Sequence, residues 1–224
     1  MLRGILILYS LVISGYHLCA KTISTQKEYL ESISKDSTKK LVNLKNIIPG
    51  ICIEMPYATK ANFTKTVLYK NPICCMRYAP AFALHKVQLE LYKKGLGLKI
   101  FDAYRPYSVT CTMWKLTPDK HYVANPAKGS NHNRAIAVDL SIIDLKTGKE
   151  IDMGTTFDNF TDTAGYDFNF ADAKIHENRK TLREIMIKNG FSPIANEWWH
   201  FSWRDKERFE ILDMDFETIA LLLR

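Results

Sequence analysis

The chain has 224 residues, of which 46% are hydrophobic and 25% are charged, and its formal net charge is +7. This length and composition suffice for one globular domain with a sizeable core. Basic residues are spread along the chain and form no block interleaved with aromatics, which argues against nucleic-acid binding. The charge supports only a mild attraction to anionic cell-surface material.

The first twenty residues have the pattern of a secretory signal peptide. Arg3 gives a short basic start, residues 4–15 form an apolar run, and Ala20 ends a stretch of small or neutral residues. The apolar run is too short for a comfortable membrane span. We expect cleavage after Ala20 and export to the periplasm or the medium, with no stable membrane insertion afterwards. A lipid on Cys19 is disfavoured because Leu18 is larger than lipoprotein signals usually have.

Export would place the remaining cysteines in an oxidising compartment. Four cysteines follow the predicted signal peptide: Cys52, Cys74, Cys75 and Cys111. One or two disulfides are possible, and the spacing does not choose among the three full pairings. Buried free thiols are the alternative. No Cys-x-x-Cys motif is present, which argues against a sulfur-ligated metal site.

Residues 21–45 are polar and rich in Ser and Lys, and we expect either a loosely held lead-in or a first helix there. Residues 46–224 are expected to form the domain. Apolar spacing predicts a helix over 80–94, a short buried strand over 98–102 and a second helix over 177–189. Short strands and separated helices without regular alternation favour an α+β fold. We predict a single domain with a central, mainly antiparallel sheet flanked by helices.

Residues 135–142 alternate strictly between small or polar side chains and large aliphatic ones, which predicts a β-strand. The aliphatic face would pack on the core. On the small face Asp139 is the one charged side chain. This pattern is typical of a strand that lines an open cleft on one face of a sheet. The alternative is a half-exposed edge strand on which Asp139 simply meets water.

A second strand around residue 200 repeats the pattern. Trp199 and Phe201 would point to the core, which leaves Trp198 and His200 on the other face. A histidine between core-directed aromatics is more often a hydrogen-bonded core residue than a metal ligand. Two separate strands that each present one metal-binding side chain, Asp139 and His200, shift the balance toward a metal site.

Two further residues can join this site only if the chain bends. His132 lies seven residues before Asp139, so a continuous strand would point them apart, and we expect His132 in the preceding turn. Glu197 lies three residues before His200 and needs a bend to share its side. With both bends, two histidines and an aspartate of zinc-binding type lie beside a glutamate that can act as a base.

The ordered pair of motifs, Ser130-x-His132-(x6)-Asp139 and Glu197-x-x-His200, resembles that of the zinc D-alanyl-D-alanine peptidases. The likeness is closest to the VanX-type dipeptidases of this hedgehog-like family. It covers about residues 51–203, with supporting matches in segments 55–59, 62–64, 102–106, 124–126 and 153–158. Trp198 favours the dipeptidase branch, since related carboxypeptidases more often have Pro there. Ala135 departs from the pattern, which usually has Gly; its methyl group is harmless in an ordinary β conformation and strained at positive φ.

The resemblance implies a role for each residue of the motifs. His132, Asp139 and His200 would bind one Zn²⁺ per chain and leave a fourth position for water. Glu197 would act as the general base, and Arg105 would stabilise the charge that develops on the carbonyl oxygen. Without the resemblance, Arg105 reads as a structural ion pair at the end of a strand.

The resemblance also implies residues that hold the two ends of the substrate. Tyr57, Ser130 and Asp158 are the candidates, and the carboxylate of Asp158 suits a free ammonium. The alternative for all three is ordinary hydrogen bonding in turns and core.

The implied activity is zinc-dependent hydrolysis of the small dipeptide D-alanyl-D-alanine to two D-alanines, in cell-wall precursor salvage or remodelling. One alternative is a D,D- or L,D-carboxypeptidase that trims longer wall peptides. A second is an inactive, zinc-stabilised binding module, against which the presence of Glu197 and Arg105 argues. The oligomeric state does not follow from the sequence.

Overall fold

The computed structural model describes residues 22–204 and 209–223, so the predicted signal peptide lies outside the described residues. Within those two ranges, no helix combines the length and apolar character that a membrane crossing requires. The strands are β1 (Thr22–Ile23), β2 (Leu41–Asn43), β3 (Cys52–Ile53), β4 (Cys75–Arg77), β5 (Leu96–Asp102), β6 (Ala137–Asp144), β7 (Phe191–Ile194), β8 (Glu197–Trp203) and β9 (Ile211–Leu212). The helices are α1 (Gln26–Lys35), α2 (Leu44–Ile47), α3 (Tyr78–Tyr92), α4 (Tyr107–Leu116), α5 (Ala173–Lys188) and α6 (Phe216–Leu222).

A five-stranded sheet in the order β3-β5-β6-β8-β7 forms the centre of the fold. Within this five-stranded sheet β3 and β5 pair in parallel, whereas β5 with β6, β6 with β8, and β8 with β7 are antiparallel. Two small sheets flank it, the parallel pair β1-β9 and the antiparallel pair β2-β4. The α+β fold with a mainly antiparallel sheet is confirmed.

The two predicted helices pack against this sheet as their apolar spacing requires. Helix α3 packs on β5, and α5 packs on β7 and β8. The residues whose helical spacing forms the apolar face of each helix are buried: Leu84, Val87, Leu91, Leu182, Ile185 and Met186. Helix α5 begins four residues earlier than predicted because the Asp172 carboxylate accepts a hydrogen bond from the Lys174 amide and caps it.

Strand β6 lies between β5 and β8, so the edge-strand alternative is wrong. The expected open face is also more enclosed than predicted. Asp139 is only 3% exposed and Ser141 is fully buried, although both lie on the small face of the strand. The site on this face is therefore reached through a cleft between loops.

The described part of segment 21–45 packs onto the domain. Helix α1 begins with a capping box, in which the Thr25 hydroxyl accepts from the Glu28 amide and the Glu28 carboxylate accepts from the Thr25 amide. Tyr29 is buried, and its hydroxyl accepts a hydrogen bond from the Leu41 amide at 2.6 Å. Strand β2 then pairs with β4.

The described part of the chain has free thiols rather than disulfides. Cys74 and Cys75 are buried free thiols and Cys52 is a partly buried one, so within the described residues no disulfide joins any two of the four cysteines that follow the predicted signal peptide. Burial raises the pKa of the thiols of Cys74 and Cys75, which keeps them protonated and unreactive.

Candidate active site

Three neighbouring strands bring polar side chains together in one row. Asp139 on β6 is the register partner of Asp102 on β5 and of His200 on β8. Directly paired residues on adjacent strands point to the same face of a sheet. The row therefore runs across the strands, with Asp139 at its centre, and two residues of the predicted metal site are brought together by strand pairing alone.

His132 lies in a tight turn just before β6, as predicted. Its carbonyl accepts from the Ala135 amide at 3.0 Å, and the Asn131 carbonyl accepts from the Ile136 amide at 3.1 Å. Ala135 closes this turn with a φ of +58°. That left-handed conformation strains a residue with a Cβ by about 1–2 kcal/mol. The substitution of Ala for Gly therefore falls where a methyl group is costly.

Glu197 reaches the same cleft because β8 carries a bulge. Pro193 pairs with Phe201, whereas the next residue, Ile194, pairs with Glu197. Residues 198–200 are thus extra on β8 and bend it, as bulges do. The bend that the three-residue spacing of Glu197 and His200 required is confirmed, and both side chains line the cleft.

Because of the bulge, Trp198 and Trp199 do not follow the simple alternation expected of a regular strand. Both are buried, and the Trp198 indole Nε1 donates to the Thr155 hydroxyl at 2.8 Å. Trp199, predicted to point only into the core, lines the cleft as well. Its ring packs edge-on against Phe157 at 5.6 Å between centroids.

His132, Asp139 and His200 place three ligand atoms in a compact triangle. His132 Nε2 lies 3.3 Å from Asp139 Oδ1 and 3.2 Å from His200 Nδ1, and the latter two atoms are 2.9 Å apart. Tetrahedral zinc with N and O ligands at roughly 2.0–2.2 Å holds those ligands about 3.3 Å apart. Two imidazole nitrogens and one carboxylate oxygen also form a typical donor set for zinc. These residues fit a divalent metal.

Hydrogen bonds behind the three side chains orient them. His132 Nδ1 donates to the Ala103 carbonyl at 2.8 Å, which leaves the Nε2 lone pair for a metal. His200 Nε2 lies 3.0 Å from the Ser202 hydroxyl, so its Nδ1 faces the triangle. Burial alone would raise the pKa of Asp139, but the charges and hydrogen bonds of the two histidines hold it below its usual range. Asp139 is therefore a carboxylate.

Arg105 is held at the cleft by a buried carboxylate. Asp102 Oδ2 accepts from Arg105 Nε at 2.9 Å and from Nη2 at 2.7 Å, and the Tyr69 hydroxyl donates to Asp102 Oδ1 at 2.7 Å. Burial would lower the pKa of Arg105, but the charge of Asp102 raises it well above its usual value. The guanidinium also lines the cleft, with Nη2 3.8 Å from Asp139 Oδ2. Arg105 thus makes the predicted structural ion pair and faces the metal-binding triangle.

Asp158 and Tyr57 form a second polar group in the cleft wall. The Tyr57 hydroxyl lies 3.1 and 3.0 Å from the two carboxylate oxygens of Asp158 and donates to them. Burial and then the negative charge of Asp139 raise the pKa of Asp158 well above its usual value. A carboxyl group in this setting is stabilised as an anion by a cation placed beside it.

Ser130 makes a hydrogen bond within the turn, which was the alternative to a substrate-binding role, and it also lines the cleft. Its hydroxyl accepts from the His132 amide at 3.1 Å, which leaves the hydroxyl proton for another acceptor. All eight side chains singled out from the sequence line one cleft of about 510 Å³: Tyr57, Arg105, Ser130, His132, Asp139, Asp158, Glu197 and His200.

The cleft combines the groups that hydrolysis of a polar substrate needs. Burial raises the pKa of Glu197, which suits a proton acceptor working near neutral pH. Beside it lie three ligand atoms for a metal and a fixed guanidinium. The α+β fold and this site together define a metal-dependent hydrolase.

Comparison with known proteins gives the particular family. The model of the peptidase family described as D-ala-D-ala dipeptidase matches residues 37–219. A D-alanyl-D-alanine dipeptidase of Escherichia coli is 34% identical over 179 residues, which are 80% of this chain and 92% of that protein. A D-alanyl-D-alanine dipeptidase of Enterococcus faecium is 31% identical over 186 residues, 73% of this chain and 91% of that protein. The chain belongs to the D-ala-D-ala dipeptidase family of metallopeptidases.

Several residues of the site were not assigned a role from the sequence. Asp102 ends a buried strand and lies in a segment that supported the resemblance, so its position was a usable signal. Tyr69 joins the site across 33 residues of chain and had no such signal. Two aromatic side chains of the cleft, Tyr122 and Phe160, come from separate loops and likewise had no signal, whereas Phe63 lies in segment 62–64, which supported the resemblance.

Proposed function

We propose that this protein hydrolyses D-alanyl-D-alanine to two D-alanines with one bound zinc ion. The observation that carries the proposal is the triangle of His132, Asp139 and His200 in one cleft with Glu197, in a chain of the D-ala-D-ala dipeptidase family. The triangle supports zinc over magnesium or calcium, because those ions prefer oxygen ligands.

His132 Nε2, Asp139 Oδ1 and His200 Nδ1 would hold the zinc ion. When bound, it polarises the substrate carbonyl and makes water more acidic. The chain supplies the proton transfer: Glu197 accepts a proton from the attacking water at its carboxylate and delivers it to the nitrogen of the departing D-alanine.

Arg105 stabilises the negative charge that develops on the carbonyl oxygen. Asp102 uses one N–H of Nε and one of Nη2, so other N–H groups of the guanidinium remain for this oxygen. Because Asp102 fixes the guanidinium before substrate binds, little reorganisation is needed during the reaction.

The two ends of a free dipeptide have matching partners in the cleft. Asp158, with Tyr57 behind it, takes the ammonium group, and the Ser130 hydroxyl donates to the carboxylate. Pairing with an ammonium relieves the cost of ionising the enclosed Asp158 carboxyl. These contacts support a substrate with both termini free, and they favour a dipeptide over the end of a long wall peptide.

We also propose that the protein is exported, because residues 1–20 have the pattern of a signal peptide. Its dipeptide would then come from cell-wall precursors or turnover. Expression in a bacterial host, fractionation and intact-mass measurement test this: the mature chain should begin at Lys21 and occur in the periplasm or medium. Ala20→Arg should block the cleavage. A full-length, cytoplasmic wild-type chain would contradict export.

The activity is tested with two substrates and a metal analysis on the same sample. Purified protein reconstituted with zinc is given D-Ala-D-Ala and, separately, a pentapeptide ending in D-Ala-D-Ala, and released D-alanine is quantified. We expect one zinc per chain and turnover of the dipeptide. Release of D-alanine from the pentapeptide alone would support the carboxypeptidase alternative. Zinc binding without turnover of either substrate would support the binding module.

A further inference from the structure

Tyr69 is a buried tyrosine that contacts both Asp102 and Tyr57. Its hydroxyl donates to Asp102 Oδ1 at 2.7 Å. Its ring packs edge-on against Tyr57 at 5.6 Å and against Phe216 at 5.1 Å between centroids, and its amide donates to the Tyr57 carbonyl at 2.9 Å. Tyr69 is not among the described residues that line the cleft. Any effect of Tyr69 on the reaction must therefore pass through its neighbours.

The two oxygens of the buried Asp102 carboxylate bind different partners. Oδ1 accepts from the Tyr69 hydroxyl and from the Ala103 amide, the latter at 2.9 Å. Oδ2 accepts from Nε and Nη2 of Arg105. His132 Nδ1 lies only 3.5 Å from Oδ2, although it donates to the Ala103 carbonyl. A carboxylate that is bonded at both oxygens cannot turn about its Cβ–Cγ bond without breaking one set of hydrogen bonds.

The Tyr69 hydroxyl ties Oδ1 to a distant part of the fold. The Ala103 amide belongs to the residue next to Asp102, whereas Tyr69 reaches it across 33 residues of chain. Burial and the charge of Asp102 raise the pKa of Tyr69 well above its usual value, so the hydroxyl keeps its proton and remains a donor. Without this hydroxyl, Oδ1 would keep one hydrogen bond in a buried setting, which is costly. The carboxylate would then gain by turning Oδ1 toward Arg105 or His132 Nδ1, and the guanidinium would shift with it.

Arg105 has little room for such a shift. Its guanidinium carbon lies 5.3 Å from the centroid of the Tyr57 ring, and Nη2 lies 3.8 Å from Asp139 Oδ2. A guanidinium that Asp102 holds less firmly would be drawn toward the Asp139 carboxylate by the opposite charge. Asp139 belongs to the metal-binding triangle. Firm placement of Asp102 thus keeps the guanidinium away from a proposed metal ligand and available to the substrate.

We propose that Tyr69 is a positioning residue whose hydroxyl holds the Asp102 carboxylate in the orientation that aims the Arg105 guanidinium at the substrate carbonyl oxygen. This inference rests on the proposed dipeptidase function and adds a residue to it. Tyr69 touches neither the substrate nor the metal-binding triangle. Loss of its hydroxyl slows the reaction of bound substrate and leaves substrate binding unchanged, because the developing charge is present only in the transition state.

The test measures kcat and KM for D-Ala-D-Ala with zinc-loaded wild type and variants. Tyr69→Phe removes the hydroxyl and keeps the ring. Tyr69→Met, which also lacks the hydroxyl and adapts to buried space, is the second sample should Tyr69→Phe not fold. Tyr29→Phe is the matched control, since Tyr29 is also 2% exposed and its hydroxyl accepts from a backbone amide at 2.6 Å away from the cleft. The changes are repeated in an Arg105→Ala background, and bound zinc and the free energy of unfolding are measured for every variant.

We expect kcat of Tyr69→Phe to fall on the order of ten-fold, with KM and zinc content close to those of wild type, because a small misplacement of a catalytic group is costly. In Arg105→Ala the same change should alter kcat by less than about two-fold, since the group it positions is gone. Tyr29→Phe should keep the wild-type kcat, although it also loses a buried hydrogen bond.

A wild-type kcat in whichever hydroxyl-free variant folds would overturn the positioning role alone. An equally large fall of kcat in the Arg105→Ala background would do the same, because Tyr69 would then act by another route. A wild type that does not cleave the dipeptide would overturn the proposed function together with this inference.

Discussion

The two ends of the cleft are built in different ways. The metal-binding end is built on the sheet, where Asp139 and His200 are register partners and a hydrogen bond to Ala103 fixes His132. The other end is built on loops, where the stacked rings of Phe160 and Tyr122 and the Asp158–Tyr57 pair rely on side-chain contacts. The candidate metal ligands are thus positioned largely by backbone pairing, whereas the loop-built end can change without disturbing the sheet.

Removal of a proposed metal ligand should give the largest effect. It should abolish metal binding at the sheet-built end and leave the loop-built end unchanged. His200→Ala leaves two of the three ligand atoms, and we expect loss of bound zinc and at least a roughly 10³-fold fall in kcat, since several kcal/mol of charge stabilisation disappear. Metal analysis and dipeptide turnover are measured together. His85→Ala, on α3, is the matched control. Full zinc occupancy in His200→Ala would contradict the ligand assignment.

Loss of the proton acceptor should separate chemistry from metal binding at the same end of the cleft. Glu197→Gln keeps the shape of the side chain, and we expect kcat to fall by about 10²–10⁴-fold with zinc still bound. The variant Glu184→Gln, on the exposed face of α5, should behave as wild type. Wild-type turnover by Glu197→Gln would exclude the proposed proton transfer.

A change at the loop-built end should act on binding more than on chemistry. Asp158 has a φ of +57°, a conformation that Asn tolerates well, so Asp158→Asn removes the charge with little backbone strain. We expect KM for D-Ala-D-Ala to rise about 10- to 100-fold, the usual contribution of a charged hydrogen bond, with a smaller change in kcat. Asp162→Asn, in the same loop, should leave KM unchanged. A fall in kcat at constant KM would show that the two ends are not separable.

The smallest expected effect concerns stability at the turn before β6. Ala135→Gly removes the Cβ strain at φ +58° but adds backbone freedom to the unfolded chain. We expect a net gain of about 0.5–1 kcal/mol in the free energy of unfolding, measured by urea denaturation of the metal-free protein. Ala127→Gly, at a turn position without positive φ, should be neutral or destabilising. A loss of stability in Ala135→Gly would show that packing of the methyl group outweighs the strain.

The sheet-built end could be predicted because its signals are local. Alternation of side chains placed Asp139 and His200 on the faces of two strands, and odd spacing required the turn at His132 and the bend at Glu197. The structure has that turn and that bulge. The fold class followed from the same periodicity, although not the fact that β6 is central and enclosed, because burial of a small face depends on distant loops.

The loop-built end could not be predicted in detail because its contacts join residues far apart in the chain. Tyr57 lies 101 residues from Asp158, and Tyr122 stacks on Phe160 from a different loop. Neither pair leaves a periodic pattern. The resemblance indicated Tyr57 and Asp158 as substrate residues but gave no pairing between them. The rings of Phe160 and Tyr122 had no sequence signal at all.

Because Asp139 and His200 are brought together by strand pairing, metal binding would also depend on the correct alignment of β6 and β8. Side chains on a strand alternate with a period of two, so a slip of one residue between β6 and β8 would turn one ligand toward the helices. A misaligned sheet would lack the triangle and would not bind the ion tightly. Zinc would therefore add its binding free energy to one alignment only, and metal present during refolding should raise the yield of correctly aligned chains.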